Sequence, residues 1–287
     1  MLKPRKVNLT GVFGYPIKHT LSPVMHNSAF KALRMPYIYL PFCVKPKECR
    51  KLLKLLPALG FKGVNITVPH KKTAFDSVDY LTAEAKIAGA VNTIKVSDNK
   101  LFGTSTDGEG LVRSLKEDAG FNIKGKNIII LGAGGAGRSA ALYLAVKGVK
   151  RIVIANRTKS RALLIVKMIK KQAPGVEAIA IPLKDSEVWK YVCSSGLIIN
   201  ATSIGLNISD KPILSSNVFR KSIIFYDMVY NPALTSNMKA AKKGGAICFS
   251  GIGMLLHQGA ISFRFWTGKI PPLKVMKKAL LKELKKR

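Results

Sequence analysis

The sequence predicts an α/β fold, two open α/β domains with a cleft between them, and three observations carry that expectation. Short apolar runs of strand length alternate with helix-length patterns along most of the 287 residues, and such alternation predicts sheets covered by helices. The alternation comes as two series, with Thr106-Asp107-Gly108 closing the first. The second series opens on Asn127-Ile-Ile-Ile-Leu131, which runs straight into Gly132-Ala133-Gly134-Gly135-Ala136-Gly137 and then into a helix-compatible segment from Arg138 to Val146. A G-x-G-x-x-G turn set between strand and helix marks a Rossmann-like, dinucleotide-binding domain.

In the first series Val7 to Phe13, Tyr37 to Phe42 and Gly63 to Val68 are expected strands, with helices at Pro23 to Leu33 and Lys45 to Leu56 between them. Strands joined by helices predict a parallel sheet. Asn92 to Phe102 is expected as two short strands around Asp98-Asn99, a hairpin turn pair. The second series places strands near 127–131, 151–155, 178–182, 197–200, 223–227 and 246–249, separated by helices. Two last helices, Gly253 to Thr267 and Leu273 to Lys286, are expected to pack back on the first domain. The domain boundaries that follow are 1–106, 107–250 and a C-terminal helical segment 251–287.

The apolar fraction of 47% and the charged fraction of 22% are those of a globular protein, and the length allows two modest cores. Cys43, Cys49, Cys193 and Cys248 are scattered without a C-x-x-C pair, as in a reducing compartment, and the expected location is the cytoplasm. His19, His26, His70 and His257 follow no metal-binding spacing, so no metal is expected. The opening Met-Leu-Lys-Pro-Arg-Lys has no apolar stretch behind it and does not read as a signal peptide. Gly244 to Phe263 is uncharged for 20 residues, but its glycines, Ser250, His257, Gln258 and Ser262 make it too polar for a membrane span.

The 48 lysines and arginines against 15 acids leave a net charge of +33. Nucleic-acid proteins reach such values by neutralising phosphates. Here the lysines are spread through the whole chain, and no aromatic-interleaved basic motif accompanies them. Their density rises only at the end, where Lys274, Lys277, Lys278 and Lys282 alternate with Leu273, Met276, Leu280 and Leu284, the spacing of an amphipathic helix with a solvated basic face. The charge is read as a trait of the source proteome that also attracts anionic ligands. The expected partner is a small-molecule substrate, with no specific nucleic acid and no membrane, in a monomer or homodimer.

In the glycine turn Gly132 makes the tight bend, Gly134 lets the backbone approach a pyrophosphate, and Gly137 lets helix and strand pack closely. Amides at the helix start then hold phosphate oxygens. The next strand ends where a ribose-binding acid is usual, but Asn156 stands there, followed by Arg157, Thr158, Lys159 and Arg161. A guanidinium fork, a hydroxyl and added positive charge suit a 2′-phosphate, so NADP(H) is favoured over NAD. A solvated basic loop remains the plainer reading of the same residues.

In the first domain, Ser22 reads as an N-cap and Pro23 as a first-turn residue of the opening helix. Two hydroxyls, Thr20 and Ser22, beside free helix amides can also make a carboxylate pocket. Asn65-Ile-Thr67-Val-Pro69-His-Lys71 ends a buried strand with a threonine and a lysine, at the sheet edge where α/β sites lie. Asn92 begins the hairpin, and Asp107 by spacing alone reads as a helix cap.

Taken in order, these residues resemble the shikimate dehydrogenase family over nearly the whole chain. Gly14 to Asn27 resembles its substrate-carboxylate motif and Asn65 to Lys71 its catalytic-lysine motif; Gly89-Ala-Val-Asn92-Thr and Thr106-Asp107-Gly-Glu-Gly110 follow. Gly132 to Gly137, Asn156-Arg157-Thr158, Asn200-Ala-Thr-Ser-Ile-Gly205, Tyr226-Asp-Met228-Val-Tyr230-Asn-Pro and Gly251 to Gln258 complete nine ordered motifs. The resemblance implies NADPH-linked, reversible reduction of 3-dehydroshikimate to shikimate, a step toward the aromatic amino acids. It implies Thr20 and Ser22 on the ring carboxylate with Tyr230 nearby, and Thr67, Asn92, Asp107 and Gln258 on ring hydroxyls. Lys71 would be the acid/base, or an electrostatic anchor oriented by Asp107. Gly132 to Gly137, Asn156 to Arg161, Met228 and Gly251 would line the cofactor site. Thr20 stands where the family commonly has serine, adding a methyl beside the carboxylate, and Ser105 stands where asparagine is usual. A quinate or dual quinate/shikimate dehydrogenase would share nearly all these residues, and a non-catalytic basic relative that binds nucleic acid would rest on the charge alone.

Overall fold

A computed structural model of the chain describes residues 7–17 and 20–286, so Lys18 and His19 of the first motif lie outside the described residues. It divides into two compact units, Met1–Gly110 with Leu255–Arg287, and Leu111–Met254.

The first unit runs β1 (Asn8–Gly14), α1 (Ser22–Ala32), β2 (Tyr37–Cys43), α2 (Pro46–Leu55), β3 (Phe61–Ile66), α3 (Lys71–Phe75), β4 (Tyr80–Leu81), α4 (Ala83–Ala88), β5 (Thr93–Ser97), β6 (Lys100–Thr104) and the start of α5 (Asp107–Glu117). Its sheet has the order β2-β1-β3-β5-β6-β4. Strands β1, β2 and β3 are parallel, as helix-length connections require. The expected parallel sheet is nevertheless mixed, because β5 runs antiparallel to both β3 and β6. Only the β5–β6 reversal has a local cause: Asp98 (φ 50°) and Asn99 (φ 56°) form a two-residue turn in the left-handed region; the pairing of β5 with β3 is set by the packing of the sheet. Strand β3 ends at Ile66 instead of Val68, and Pro69, which has no amide to donate to a ladder, follows three residues on. Ser22 is the first residue of α1 and not its cap; Leu21 takes the cap position without a side-chain bond, and Pro23 sits in the first turn as expected. Cys49 and Leu53 of α2 (four apart) join Leu56, Phe13, Val64, Ile66 and Ile94 in the core on one side of this sheet.

The second unit continues with β7 (Asn127–Leu131), α6 (Gly135–Val146), β8 (Arg151–Asn156), α7 (Lys159–Gln172), β9 (Glu177–Pro182), α8 (Asp185–Val192), β10 (Leu197–Asn200), β11 (Ile224–Asp227), α9 (Ser236–Lys243) and β12 (Ile247–Ser250). All six strands are parallel in the order β12-β11-β10-β7-β8-β9. Parallel strands covered on both faces are apolar throughout, and Ile128, Ile129, Ile130 and Leu131 are all buried. Ile129, Leu131, Val153, Ile198 and Phe225 meet Val188 and Val192 of α8 and Met238 of α9 in one core layer. The strand order reverses direction at β7 and β10, the topological switch point where ligands bind in sheets of this type.

Beyond Met254 the chain returns to the first unit with most of α10 (Ile252–Thr267) and all of α11 (Leu273–Leu284). The Trp266 indole of α10 donates to the Ile94 carbonyl of β5 at 2.9 Å, and α11 lies against α1. The division between units falls within α5 and α10, a few residues later than the boundaries read from the sequence, because the chain crosses inside helices and no composition shift marks the place. Among the described residues no helix is long and apolar enough to cross a membrane.

Candidate active site

In the first unit the sheet order gathers the candidate residues along one edge. Strands β1, β3 and β6 point the same way and β5 points back, so the chain following β1, β3 and β6 and the chain preceding β5 all lie at that edge. Thr20 and Ser22 follow β1, Thr67 and Lys71 follow β3, Asn92 precedes β5, and Asp107 follows β6.

Three of these are in direct contact. The Lys71 ammonium donates to Asp107 Oδ2 at 2.7 Å, and Asn92 Nδ2 donates to Asp107 Oδ1 at 2.8 Å. Asp107 does open α5, but its carboxylate serves the lysine and the asparagine, one oxygen each. With 31% of the Lys71 side chain and 16% of Asp107 exposed, the pair is sheltered yet reachable. An ion pair so placed holds geometry more than it adds stability.

The remaining candidates are placed by their own local contacts. The Ser22 amide donates to Thr20 Oγ1 at 3.3 Å, which brings the two hydroxyl residues together at the start of α1. The Thr67 amide donates to the Phe13 carbonyl at 2.9 Å, fixing Thr67 beside the end of β1. Gln258 lies on α10, its side-chain nitrogen 2.9 Å from the Leu255 carbonyl. Tyr230 belongs to the second unit, in the segment after β11.

A buried polar network beneath the trio carries residues to which the sequence assigned no role. Asn65 Nδ2 lies 3.0 Å from both Thr93 Oγ1 and Ser262 Oγ, and the Tyr39 hydroxyl donates to Asn65 Oδ1 at 2.8 Å. The Ser22 side chain in turn bonds the Tyr39 hydroxyl, whose pKa burial pushes well up. Hydrogen bonds thus run unbroken from Ser22 to Asp107 and Lys71. Asn65 and Thr93 fall inside quoted motifs, and that was the available signal; Ser262 on α10 gave none.

In the second unit the glycine turn bends at Gly132 and packs closely at Gly137, as expected. Gly132 (φ 104°) bends the chain out of β7 in a conformation that favours glycine. A Cβ on Gly137 would run into the Gly132 carbonyl. Helix α6 begins at Gly135, earlier than the Arg138 expected, with Gly134 as its cap, so Gly135, Ala136 and Gly137 supply first-turn amides with no partner inside the helix. Asn156 ends β8; its Oδ1 accepts from the Ala133 amide at 3.0 Å and its Nδ2 donates to the Thr158 carbonyl at 2.9 Å. One side chain therefore ties the glycine turn to the basic loop. Arg157, Thr158, Lys159 and Arg161 are exposed there, and no acid stands among them.

Met228 and Gly251 meet at the ends of β11 and β12, where a Cβ on Gly251 would strike the Met228 carbonyl. The loop holding Met228 is anchored by Asp227, another residue given no role from the sequence. Its carboxylate accepts from Asn200 Nδ2 (2.9 Å), the Val229 amide (3.0 Å) and the Thr235 hydroxyl (2.6 Å). Burial pushes its pKa up against the pull of those donors.

A parallel sheet with a glycine turn at its switch point, and a separate unit carrying a lysine–carboxylate pair, define an oxidoreductase of the dinucleotide-binding class. Residues 12–94 match the shikimate dehydrogenase substrate binding domain, 114–236 match shikimate/quinate 5-dehydrogenase, and 251–281 match the shikimate 5′-dehydrogenase C-terminal domain. The chain is 40% identical to the shikimate dehydrogenase (NADP(+)) of Methanopyrus kandleri over 98% of its own length and 97% of the relative's. A solved shikimate dehydrogenase in complex with NADP+ superposes with a TM-score of 0.89 at 37% identity, covering 97% of this chain and 96% of that one. The Thermus thermophilus enzyme in complex with NADP(H) and shikimate does so at 0.85 and 34%, covering 96% and 99%. The chain belongs to the shikimate dehydrogenase family.

Proposed function

We propose that this protein catalyses the NADPH-dependent, reversible reduction of 3-dehydroshikimate to shikimate, with Lys71 as its acid/base. The observation that carries the reading is the Lys71–Asp107–Asn92 contact at 2.7 and 2.8 Å, at the sheet edge that also holds Thr20, Ser22 and Thr67.

NADPH, when bound, supplies the hydride that reduces the carbonyl carbon. Negative charge then grows on the carbonyl oxygen, and a positioned donor must meet it. The Lys71 ammonium stabilises that oxygen and gives it a proton; in the oxidative direction Lys71 takes the hydroxyl proton back. Asp107 keeps the ammonium aimed, and Asn92 keeps Asp107 in place. Thr20 and Ser22, with Tyr230, hold the ring carboxylate, while Thr67, Asn92, Asp107 and Gln258 bind ring hydroxyls. The turn Gly132 to Gly137, with the first-turn amides of α6, would hold a diphosphate, and Arg157, Thr158, Lys159 and Arg161, positioned by Asn156, a 2′-phosphate, with Met228 and Gly251 lining the cofactor site. The protein works in the cytoplasm as a monomer or homodimer.

The test is absorbance at the reduced-nicotinamide band, with shikimate or quinate and NADP+ or NAD+. Shikimate with NADP+ should give the highest kcat/KM. A clear preference for quinate with NAD+ would replace this reading by the quinate one, and no turnover with either acid would remove it.

A further inference from the structure

Thr93 lies next to the catalytic contact without joining it. It is fully buried, and its hydroxyl lies 3.0 Å from Asn92 Oδ1, 3.0 Å from Asn65 Nδ2 and 2.8 Å from Ser262 Oγ. Asn65 Nδ2 can only donate, so it fills an acceptor position on Thr93 and leaves the one hydroxyl proton to be given elsewhere. Ser262 donates its own proton to the Gln258 carbonyl at 2.9 Å, which makes the Ser262 oxygen a competing acceptor and leaves Asn92 Oδ1 as the other.

Asn92 is where the proton matters. A side-chain amide has an oxygen end and a nitrogen end, and the surroundings decide which way it faces. The Thr106 amide donates to Asn92 Oδ1 at 2.9 Å, while Asn92 Nδ2 donates to Asp107 at 2.8 Å and to the Thr106 hydroxyl at 2.9 Å. Turned over, the amide would set its oxygen against the Asp107 carboxylate and its N–H groups against the Thr106 N–H. Both contacts repel.

We propose that Thr93 is a positioning residue for this site: its hydroxyl holds the oxygen end of Asn92, so that the nitrogen end holds Asp107 and Asp107 aims Lys71. The assignment rests on the role proposed for Lys71. Thr93 touches neither Lys71 nor Asp107; it acts through Asn92, two hydrogen bonds from Asp107 and three from Lys71.

Valine at position 93 keeps the shape and removes only the hydroxyl. Thr93→Val should lower kcat for shikimate oxidation by about tenfold or more, the scale of a small misplacement of catalytic groups, and raise KM for shikimate, with KM for NADP+ unchanged. Thr93→Ser should restore both constants to within about twofold, since the hydroxyl returns. The control is Thr10→Val. Thr10 is another fully buried threonine, donating to the Ile38 carbonyl at 2.8 Å away from the site, so its loss should cost melting temperature without touching kcat. Full kcat and shikimate KM in Thr93→Val, or an equal loss of kcat in Thr10→Val, would overturn the assignment. A crystal structure of Thr93→Val with the Asn92 amide unmoved between Asp107 and Thr106 would overturn it independently of any activity. Failure of the wild-type protein to oxidise shikimate counts instead against the proposed reaction.

Discussion

Lys71 is one of 48 basic residues, and what distinguishes it is a carboxylate 2.7 Å away, supplied from 36 residues along the chain. Removing the ammonium should leave most substrate contacts intact and remove the donor that meets the developing charge. Lys71→Ala is therefore expected to keep its shikimate dissociation constant within roughly tenfold and to lose roughly 10²–10⁴-fold in turnover. Steady-state kinetics beside equilibrium titration separate the two effects, and wild-type turnover would take Lys71 out of its role. Arg157 is tested in the same way. It is exposed just after β8, and the proposed role gives its guanidinium a 2′-phosphate to bind. Arg157→Ala should raise KM for NADP+ by about tenfold or more, the worth of a hydrogen bond to a charged group, and leave KM for NAD+ unchanged. Equal effects on both cofactors would return the basic loop to a solvated surface. The motif residues Lys71, Asn92 and Asp107 could be picked out from the sequence, but Asp107 read as a cap, because nothing local shows which side chain faces it.

At the scale of elements, α1 and α10 enclose a histidine that carries a consequence for stability. His26 is fully buried, its ring 4.5 Å from that of Tyr39 and 5.2 Å from that of Trp266, and neither ring nitrogen has a hydrogen-bond partner. Burial alone lowers its pKa from 6.5 to about 3. Between those values the unfolded chain binds a proton that the folded chain refuses. His26 therefore adds no pH-dependent cost above pH 6.5, and stability falls as pH drops from 6.5 toward 3 by about 1.4 kcal/mol per unit. Urea midpoints for the wild type and His26→Phe between about pH 7 and 4 should diverge as pH falls, with the variant losing less; parallel curves would show that His26 is not the group responsible. The glycine turn gives a second test at this scale. Gly137→Ala must push α6 away from the Gly132 carbonyl, so NADP+ affinity should drop by about tenfold or more, as for a small displacement of the phosphate-binding amides, while shikimate binding, measured by titration without cofactor, stays unchanged. Unaltered NADP+ affinity would separate the turn from the cofactor.

At the scale of the whole molecule the +33 charge sets the response to salt. Like charges closer than the Debye length, about 8–10 Å at moderate ionic strength, repel across the folded surface and oppose compaction. Raising sodium chloride from about 20 to about 300 mM, which shortens that length several-fold, should raise the melting temperature; a flat trend would mean the lysines lie too far apart to interact, and a falling one that favourable ion pairs outweigh their repulsion.

The same scale separates what was legible from what was not. Strand and helix positions, the hairpin at Asp98-Asn99 and the bend at Gly132 could be read directly, since periodicity, turn chemistry and left-handed backbone are decided by a few neighbouring residues. The cap of α1 and the start of α6 shifted by one to three residues, because the ends of a helix depend on partners beyond it. The direction of β5, the partner of Asp107 and the network through Asn65, Thr93 and Ser262 were decided only in three dimensions. Asn65 and Ser262 stand 197 residues apart in the chain and 3.0 Å apart in space, a proximity that strand order and the return of α10 create. The sequence by itself determined the elements, the family and the cofactor chemistry of the turn, all local in origin. The tertiary structure decided which polar groups share a buried space, because hydrogen bonding there depends on distance and direction between chain segments that no local pattern relates.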